Sequence, residues 1–493
     1  MTERFSADGG QYSPTYAELK KLSRKSNFIP VYRKIVGDFE TPVSCFAKTA
    51  HSHRHCALLE SVEGGERWGR YSFIIPEPSE IITRGKFDGV TDALRARLET
   101  VRPARVEGLP RFWGGAVGYC SYDVVRQFEN LPDSPRDDLK LPEAIFFLTD
   151  GMIVFDHLFH SIQVVACVDL RGGRRPTKKL YASACRRIDA VIKKIESPSV
   201  FSQTPFASDR RRARQKIVSN TSPAKFMAAV ARAKNYIRAG DVIQVVLSQR
   251  FQSDTSASPF DVYRALRMIN PSPYMYFFRF GDFYVIGSSP EILVRKEGSA
   301  AITKPIAGTR PRSGDPARDA ALAAELLRDP KERAEHIMLV DLGRNDLSRV
   351  CKPGTVKTSE LMQIEKYSHV MHMVSTVTGE LKPSADAFDL FRACFPAGTV
   401  TGAPKVRAMQ IIDELEPSAR GPYAGAVGYF SYDGNMDTAI TIRTIIRKGR
   451  VSYVQAGAGI VADSVPSKEL RETQNKARAL FKALELARGL RSR

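Results

Sequence analysis

Two ten-residue segments of this chain are nearly the same. Residues 114–123 read GGAVGYCSYD and residues 424–433 read AGAVGYFSYD, identical at eight of ten positions. Small and aromatic residues alternate, which is the period of a strand, and the internal glycines imply close backbone approach or a bulge. The match predicts two structurally related halves, each giving a similar strand pair to one layered β core. There is no third copy, so a solenoid is excluded. Strand-like runs at 145–148, 163–168, 242–247 and 277–286 mingle with helical patterns at 177–196, 222–238, 317–327, 331–342, 388–391 and 467–486. Ser222 and Ser467 read as N-caps. No regular βαβ repeat emerges, so the expected class is α+β rather than a doubly wound sheet. The expected division is an N-terminal half at 13–195, a basic linker at 196–221 and a second half at 222–488.

A chain of 493 residues exceeds what one ordinary core serves. No apolar run is long enough for a membrane span, and the first residues lack a signal-peptide pattern. Seven cysteines are scattered at Cys45, Cys56, Cys120, Cys167, Cys185, Cys351 and Cys394, with no Cys-x-x-Cys. The expectation is a cytoplasmic protein without disulfides or zinc. The net charge of +20 raises the question of nucleic acid. Much of the excess lies in the runs 171–179 and 210–216, the second beside a Ser/Pro-rich stretch that reads as a linker. No nucleic-acid-reading element accompanies them.

The chemistry-bearing pattern is a pair of Glu-x-x-Glu helices. Glu332 and Glu335 share one helix face, and Glu469 and Glu472 share another. Together the faces would offer up to four hard oxygen ligands, which suits Mg²⁺ beside an anionic substrate. Residues 398–405 form a Gly-rich turn before a helix. Pro404 and the Val after Lys405 rule out a phosphate loop, leaving a carboxylate site as the functional option. Gln455 to Ile460 reads as a small-residue anion nest after a strand ending at Val454. Arg443, between β-branched neighbours on an expected strand, wants a carboxylate or phosphate. His369 and His372 lie in an apolar run. The segment 341–347 reads as a helix end framing the site.

Taken together, these segments resemble the chorismate-utilising enzymes, and among them anthranilate synthase component I. The resemblance rests on Gly287-Ser288-Ser289-Pro290-Glu291, Pro305-Ile306-Ala307-Gly308-Thr309-Arg310, and residues 332–346, 369–375, 398–405 and 456–476. It spans most of 222–480. The first half matches more thinly, through Leu58-Leu59-Glu60-Ser61 and Gly69-Arg70-Tyr71-Ser72-Phe73. The resemblance implies a large β sandwich of two related halves flanked by helices, with an active-site cleft. Two positions discriminate within the family. Isochorismate and salicylate synthases carry a Lys where Gln244 stands, and Gln cannot activate water. Aminodeoxychorismate synthases, the alternative reading, often carry a nucleophilic Lys where Ala307 stands. Both positions favour direct attack by ammonia and formation of anthranilate.

The resemblance also implies residue roles. Glu291 is the expected acid that protonates the departing 4-hydroxyl. His372 is associated with elimination of pyruvate, and Thr309 is grouped with these catalytic residues. Glu335 and Glu472 are expected Mg²⁺ ligands, with Glu332 and Glu469 direct or through water. Thr399 lines the ring. Tyr423, Arg443 and the segment Gly457, Ala458, Gly459 would clamp the enolpyruvyl carboxylate, and Lys476 would balance the acidic cluster. Leu59, Glu60, Ser61, Pro273, Tyr274 and Met275 resemble the tryptophan pocket of feedback-inhibited members. The chain lacks the Gly-x-Cys-x-Gly motif of a glutamine amidotransferase. A separate glutaminase subunit is therefore expected to supply ammonia, in a heterotetramer.

Overall fold

The computed structural model describes residues 12–61, 69–85, 88–132, 135–198, 216–367 and 370–490. His369 and most of the basic linker lie outside them. Two antiparallel sheets, of 12 and 10 strands among the described residues, form the body. In the larger sheet the order is Phe28–Val36, Ser161–Asp169, Gly151–Asp156, Tyr71–Ile75, His55–Glu60, then Tyr274–Phe280, Phe283–Ser289, Thr444–Lys448, Val451–Ile460 and Gln244–Asp254. The first five strands come from the N-terminal half and the next five from the second, in mirrored order. The smaller sheet repeats the device: Glu80–Arg84, Ala144–Thr149 and Gly115–Cys120 meet Ala426–Ser431, Met436–Ile440 and Ile292–Glu297.

The repeated segments are direct neighbours. Gly115–Cys120 pairs antiparallel with Ala426–Ser431, and Gly118 stands opposite its own counterpart, Gly428. That pairing places a local two-fold axis between them. The repeat glycines are fixed by crowding. A Cβ at Gly118 would lie 1.9 Å from the Ile145 carbonyl oxygen, and one at Gly428 2.1 Å from that of Asp437. The expectation of two related halves in one β core therefore holds, with the halves joined edge to edge in both sheets.

Aromatic side chains from both inner faces fill the space between the sheets, including Phe73, Tyr276 and Phe278 from one and Phe112, Tyr119 and Tyr429 from the other. The outer face of the larger sheet is covered by helices Pro42–Thr49, Lys178–Ile195, Pro259–Ile269 and Pro466–Ala487. The outer face of the smaller sheet meets Val90–Glu99, Pro330–Ser348 and Ala387–Cys394. Burial of these faces, rather than helix propensity, orders the layers. Among the described residues no helix is long and apolar enough to cross a membrane.

Several boundaries differ from expectation. The run 277–286 is a hairpin, Tyr274–Phe280 and Phe283–Ser289, turning at Gly281 with φ 67°. The helix read as ending near 342 continues through Gly343 to Ser348, because Leu339, Val340 and Leu347 keep an apolar face on the sheet. Ser467 is not an N-cap. Val465 holds that position and Pro466 starts the helix. The end of the expected linker is ordered, since Val218–Ser219 pairs with strand Gln244–Asp254.

Candidate active site

The second half departs from the repeat by inserting elements between Ile292–Glu297 and Ala426–Ser431, and these wall off a cavity of about 210 Å³. Gln244, Glu291, Ala307, Glu335, Thr399, Tyr423, Arg443, Gly457, Gly459 and Lys476 all line it. Residues far apart in sequence thus converge, whereas Glu332, Glu469 and Glu472 are not on this wall.

Gly457 and Gly459 lie on strand Val451–Ile460, which does not stop at Val454, so the expected nest is a strand edge instead. Opposite them, Ser248 N–H donates to Glu416 Oε1 at 2.8 Å and Val246 N–H to the Thr401 carbonyl at 2.8 Å. Those amides point away from the ladder, so Gly457 and Gly459 are the non-hydrogen-bonded positions and their own backbone groups face the other edge. The neighbouring strand there ends at Ile445 opposite Val454, which leaves this edge open to the cavity. Lys476 Nζ donates to the Gly457 carbonyl at 2.9 Å from that side. At either glycine a side chain would crowd the residues that line the cavity. A Cβ at Gly459 would lie 2.5 Å from Gln244 Nε2, and one at Gly457 2.7 Å from Tyr423 Oη. Ala458 faces the other way, in a cluster with Phe226, Val230 and Leu247, and is absent from the cavity wall.

Arg443 is not on a strand. It sits between Met436–Ile440 of one sheet and Thr444–Lys448 of the other, with φ 51°, where the chain crosses between layers. Burial lowers its proton affinity, with Tyr423 and Glu472 opposing. A desolvated guanidinium bordering a cavity is a carboxylate receptor. Tyr423 is half-buried and desolvation pushes its phenol up to about 12, so it stays a donor.

Burial pushes the Glu291 carboxyl up to about 7, against the Thr399 hydroxyl and the Lys476 ammonium. Thr399 Oγ1 is near enough to favour the carboxylate but is not in hydrogen-bonding geometry with any described group. A carboxyl that keeps its proton near neutral pH is what a general acid needs.

The acidic faces of the two helices are near enough for Glu335 to feel the charge of Glu472. Burial raises the proton affinity of Glu335, and the Glu332 and Glu472 carboxylates raise it further. Gln244 Nε2 donates to Glu335 Oε1 at 3.4 Å. Such mutual repulsion fits a divalent cation. Glu472 is bound to Lys476 Nζ at 2.7 Å, while Glu469 is raised mainly by burial. Glu332 is already taken by Arg310 Nη1 at 3.2 Å, an arginine that also holds Glu325 and Asp329. Among the described residues no three His, Cys, Asp or Glu side chains are grouped closely enough to hold a metal ion by themselves. The donor set suits an ion completed by water and substrate. Arg310 had no assigned role, although it lies inside the motif ending at that residue.

His372 and Thr309 stand beside the cavity without lining it. They are opposite each other on strands Val370–Glu380 and Ile306–Pro311, and Thr309 Oγ1 is 3.0 Å from His372 Nδ1. Nδ1 is also 3.1 Å from the Gly308 carbonyl, which can only accept. The ring proton therefore belongs on Nδ1, leaving the lone pair on Nε2. Burial lowers the His372 proton affinity, so the ring is neutral at pH 7.

Lys405 reaches Asp346 at 2.8 Å and does not enter the cavity, so the Gly-rich turn offers it no ligand role. Gln455, unremarked in the sequence, lines the cavity with an Oε1 that has no partner among the described residues.

A second cavity lies where the halves join in the larger sheet. Leu59, Glu60, Ser61, Pro273, Tyr274 and Met275 all line it. Glu60 is already bound by Tyr263 and, at 3.2 Å, by Arg267. The buried Ser61 Oγ has no partner among the described residues. Tyr274 donates to Asp437 at 2.9 Å, and Arg295 holds the same Asp437 at 2.7 Å, a polar wall not foreseen.

The model of the chorismate binding enzyme family matches residues 55–482. The chain is 47 % identical to anthranilate synthase component 1 of Acetivibrio thermocellus, over 97 % of this chain and all of that one. It is 49 % identical to that of Aquifex aeolicus, covering 95 % of this chain and 97 % of the relative. Among solved structures, anthranilate synthase component I from Streptococcus pneumoniae superposes with a TM-score of 0.75 at 37 % identity, covering 90 % of this chain and 98 % of that one. The menaquinone-specific isochorismate synthase of Escherichia coli, at 20 % identity and TM-score 0.68 over 95 % of this chain and 98 % of its own, shares the fold. The chain belongs to the anthranilate synthase component I family of chorismate-binding enzymes.

Proposed function

We propose that this chain converts chorismate and ammonia to anthranilate and pyruvate in tryptophan biosynthesis. The observation that carries the reading is the pairing of Gln244 and Ala307 on the wall of one cavity with Glu291. Gln244 offers no base to activate water, and Ala307 offers no nucleophile of its own. Ammonia needs neither.

Glu291, raised to about 7, keeps a substantial protonated fraction at neutral pH and delivers that proton to the departing 4-hydroxyl as ammonia adds at ring carbon 2. Arg443, the Tyr423 phenol and the open-edge amides of Gly457 and Gly459 receive the enolpyruvyl carboxylate. Glu335 and Glu472, with Glu469 and the Arg310-bound Glu332, would hold Mg²⁺. Bound there, the ion supplies charge that fixes and polarises the ring carboxylate. His372, with its lone pair on Nε2, stands beside the cavity and serves the elimination of pyruvate as a base or a positioner. Lys476 balances the carboxylates and fixes the Gly457 carbonyl.

Ammonia comes from a separate glutaminase subunit, and tryptophan acts at the cavity around Ser61 as a feedback inhibitor. The ammonium of tryptophan joins the existing Glu60–Arg267 pair, and the indole packs on Pro273 and Met275. The test is nucleophile dependence. With chorismate and Mg²⁺, pyruvate release should require ammonium, and glutamine should not replace it unless a glutaminase is added. Release driven by water or by glutamine alone would contradict the reading.

A further inference from the structure

Behind Glu291 lies a second, smaller cavity. It holds about 40 Å³, enough for one or two waters. Glu291 and Thr399 line both this cavity and the larger one, so they form the partition between them. The far wall carries Asp346, joined to Lys405 at 2.8 Å. The side chains of that pair are 11 % and 12 % exposed, and Lys405 is absent from the cavity wall, so its exposed part faces away from the cavity.

We propose that this cavity is a proton-return route, in which one or two waters connect Glu291 to the Asp346–Lys405 pair and through it to solvent. The proposal rests on Glu291 being the general acid. Each turnover leaves Glu291 as a carboxylate, because its proton departs with the 4-hydroxyl as water. The carboxylate must regain one proton before the next cycle. The larger cavity is then filled by substrate and product, whereas the rear cavity stays open. A proton enters at Asp346, passes along the waters, and forms the new O–H bond at Glu291. Asp346 is replenished from solvent, and the proton that ammonia sheds on forming the C–N bond leaves to solvent from the substrate side, so charge and atoms balance.

The surroundings suit such a route. Glu291 is faced by the Lys476 ammonium from the substrate side. Asp346 is faced by Lys405 and, more distantly, by Arg349, while burial holds its proton affinity above that of an ordinary Asp. The Cys394 thiol on the same wall is pushed far up by burial and carries no proton traffic. Lys304, which also lines the cavity, is tied to Glu365. Leu339, Leu342 and Ile440 make most of the remaining wall apolar, and the Thr303 hydroxyl there is spent on the Leu293 carbonyl at 3.2 Å. Asp346 acts through Glu291 and is a positioning residue.

Rapid mixing of enzyme with chorismate, Mg²⁺ and ammonium separates the first turnover from later ones. In Asp346→Asn, mixed at a pH below about 7, the first turnover should keep the parent rate, since most of Glu291 then starts protonated. Later turnovers should slow roughly tenfold, giving a burst of one product per site. Lys405→Gln should show the same burst if Asp346→Asn does not fold. First and later turnovers slowed equally, or neither slowed, would overturn the proposal. Glu291→Gln should lose the first turnover too. If it keeps that turnover, the general-acid reading fails rather than the route.

Discussion

Glu291 and Arg443 are the residues whose surroundings most directly dictate their chemistry. A carboxyl raised from the ordinary 4.5 to about 7 is protonated below that value and loses its proton above it. Rates expressed per unit of free ammonia should therefore fall as pH rises through about 7. Glu291→Gln should cost about 10²-fold or more in kcat. Arg443→Lys keeps the charge but loses the planar fork, so KM for chorismate should rise more than kcat falls. An unchanged KM would show that Arg443 does not hold the substrate. The identities of these residues were legible through their motifs. Their geometry was not. Arg443 reads as a strand residue because Ile442 and Thr444 favour strands, yet the crossing between two sheets forces a left-handed conformation there. Likewise Ala458 is indistinguishable from its glycine neighbours in sequence, and only the strand register shows that it faces the opposite side.

Helix Pro330–Ser348, within the insertion, brings Glu335 to the cavity wall, and helix Pro466–Ala487, outside it, brings Lys476 there, with Glu472 close enough to influence Glu335. Glu335→Gln and Glu472→Gln should each raise the Mg²⁺ concentration needed for half-maximal rate by tenfold or more while leaving thermal unfolding within a few degrees. Glu332→Gln should instead weaken the Arg310 cluster, with a smaller effect on Mg²⁺ dependence. Identical Mg²⁺ titrations for parent and all three variants would reduce these faces to solvated surface. The spacing of the acids announced a shared face within each helix. It could not announce that Arg310 claims one of the four, because that contact spans a β-bulge at Gly308, where a Cβ would lie 3.1 Å from Glu332 Oε2. Helix limits were misread where tertiary burial overrode a Gly, as at Gly343, and where Pro466 rather than Ser467 set the first turn.

At the scale of the whole molecule, the repeat foretold two related halves, and the structure adds that they are fused through both sheets. The seam carries both cohesion and the second cavity. Arg126 of the first half binds Asp413 of the second at 2.7 Å, with both side chains about 5 % exposed. Arg126→Ala should cost about 3 kcal/mol and lower the urea midpoint of a single transition. Two separate transitions would show that the halves fold independently. Ligand at the Ser61 cavity touches both halves and can bias their placement only through differential affinity. Ser61→Phe should fill that cavity and relieve tryptophan inhibition while sparing uninhibited turnover, and equal inhibition curves would remove the site. The central claim is the choice of nucleophile, written in Gln244 and Ala307. The most direct measurement is the identity of the aromatic product formed from chorismate, Mg²⁺ and ammonium by the purified chain. The account predicts anthranilate with one pyruvate per chorismate consumed. Isochorismate, salicylate or 4-amino-4-deoxychorismate as the main product would contradict it.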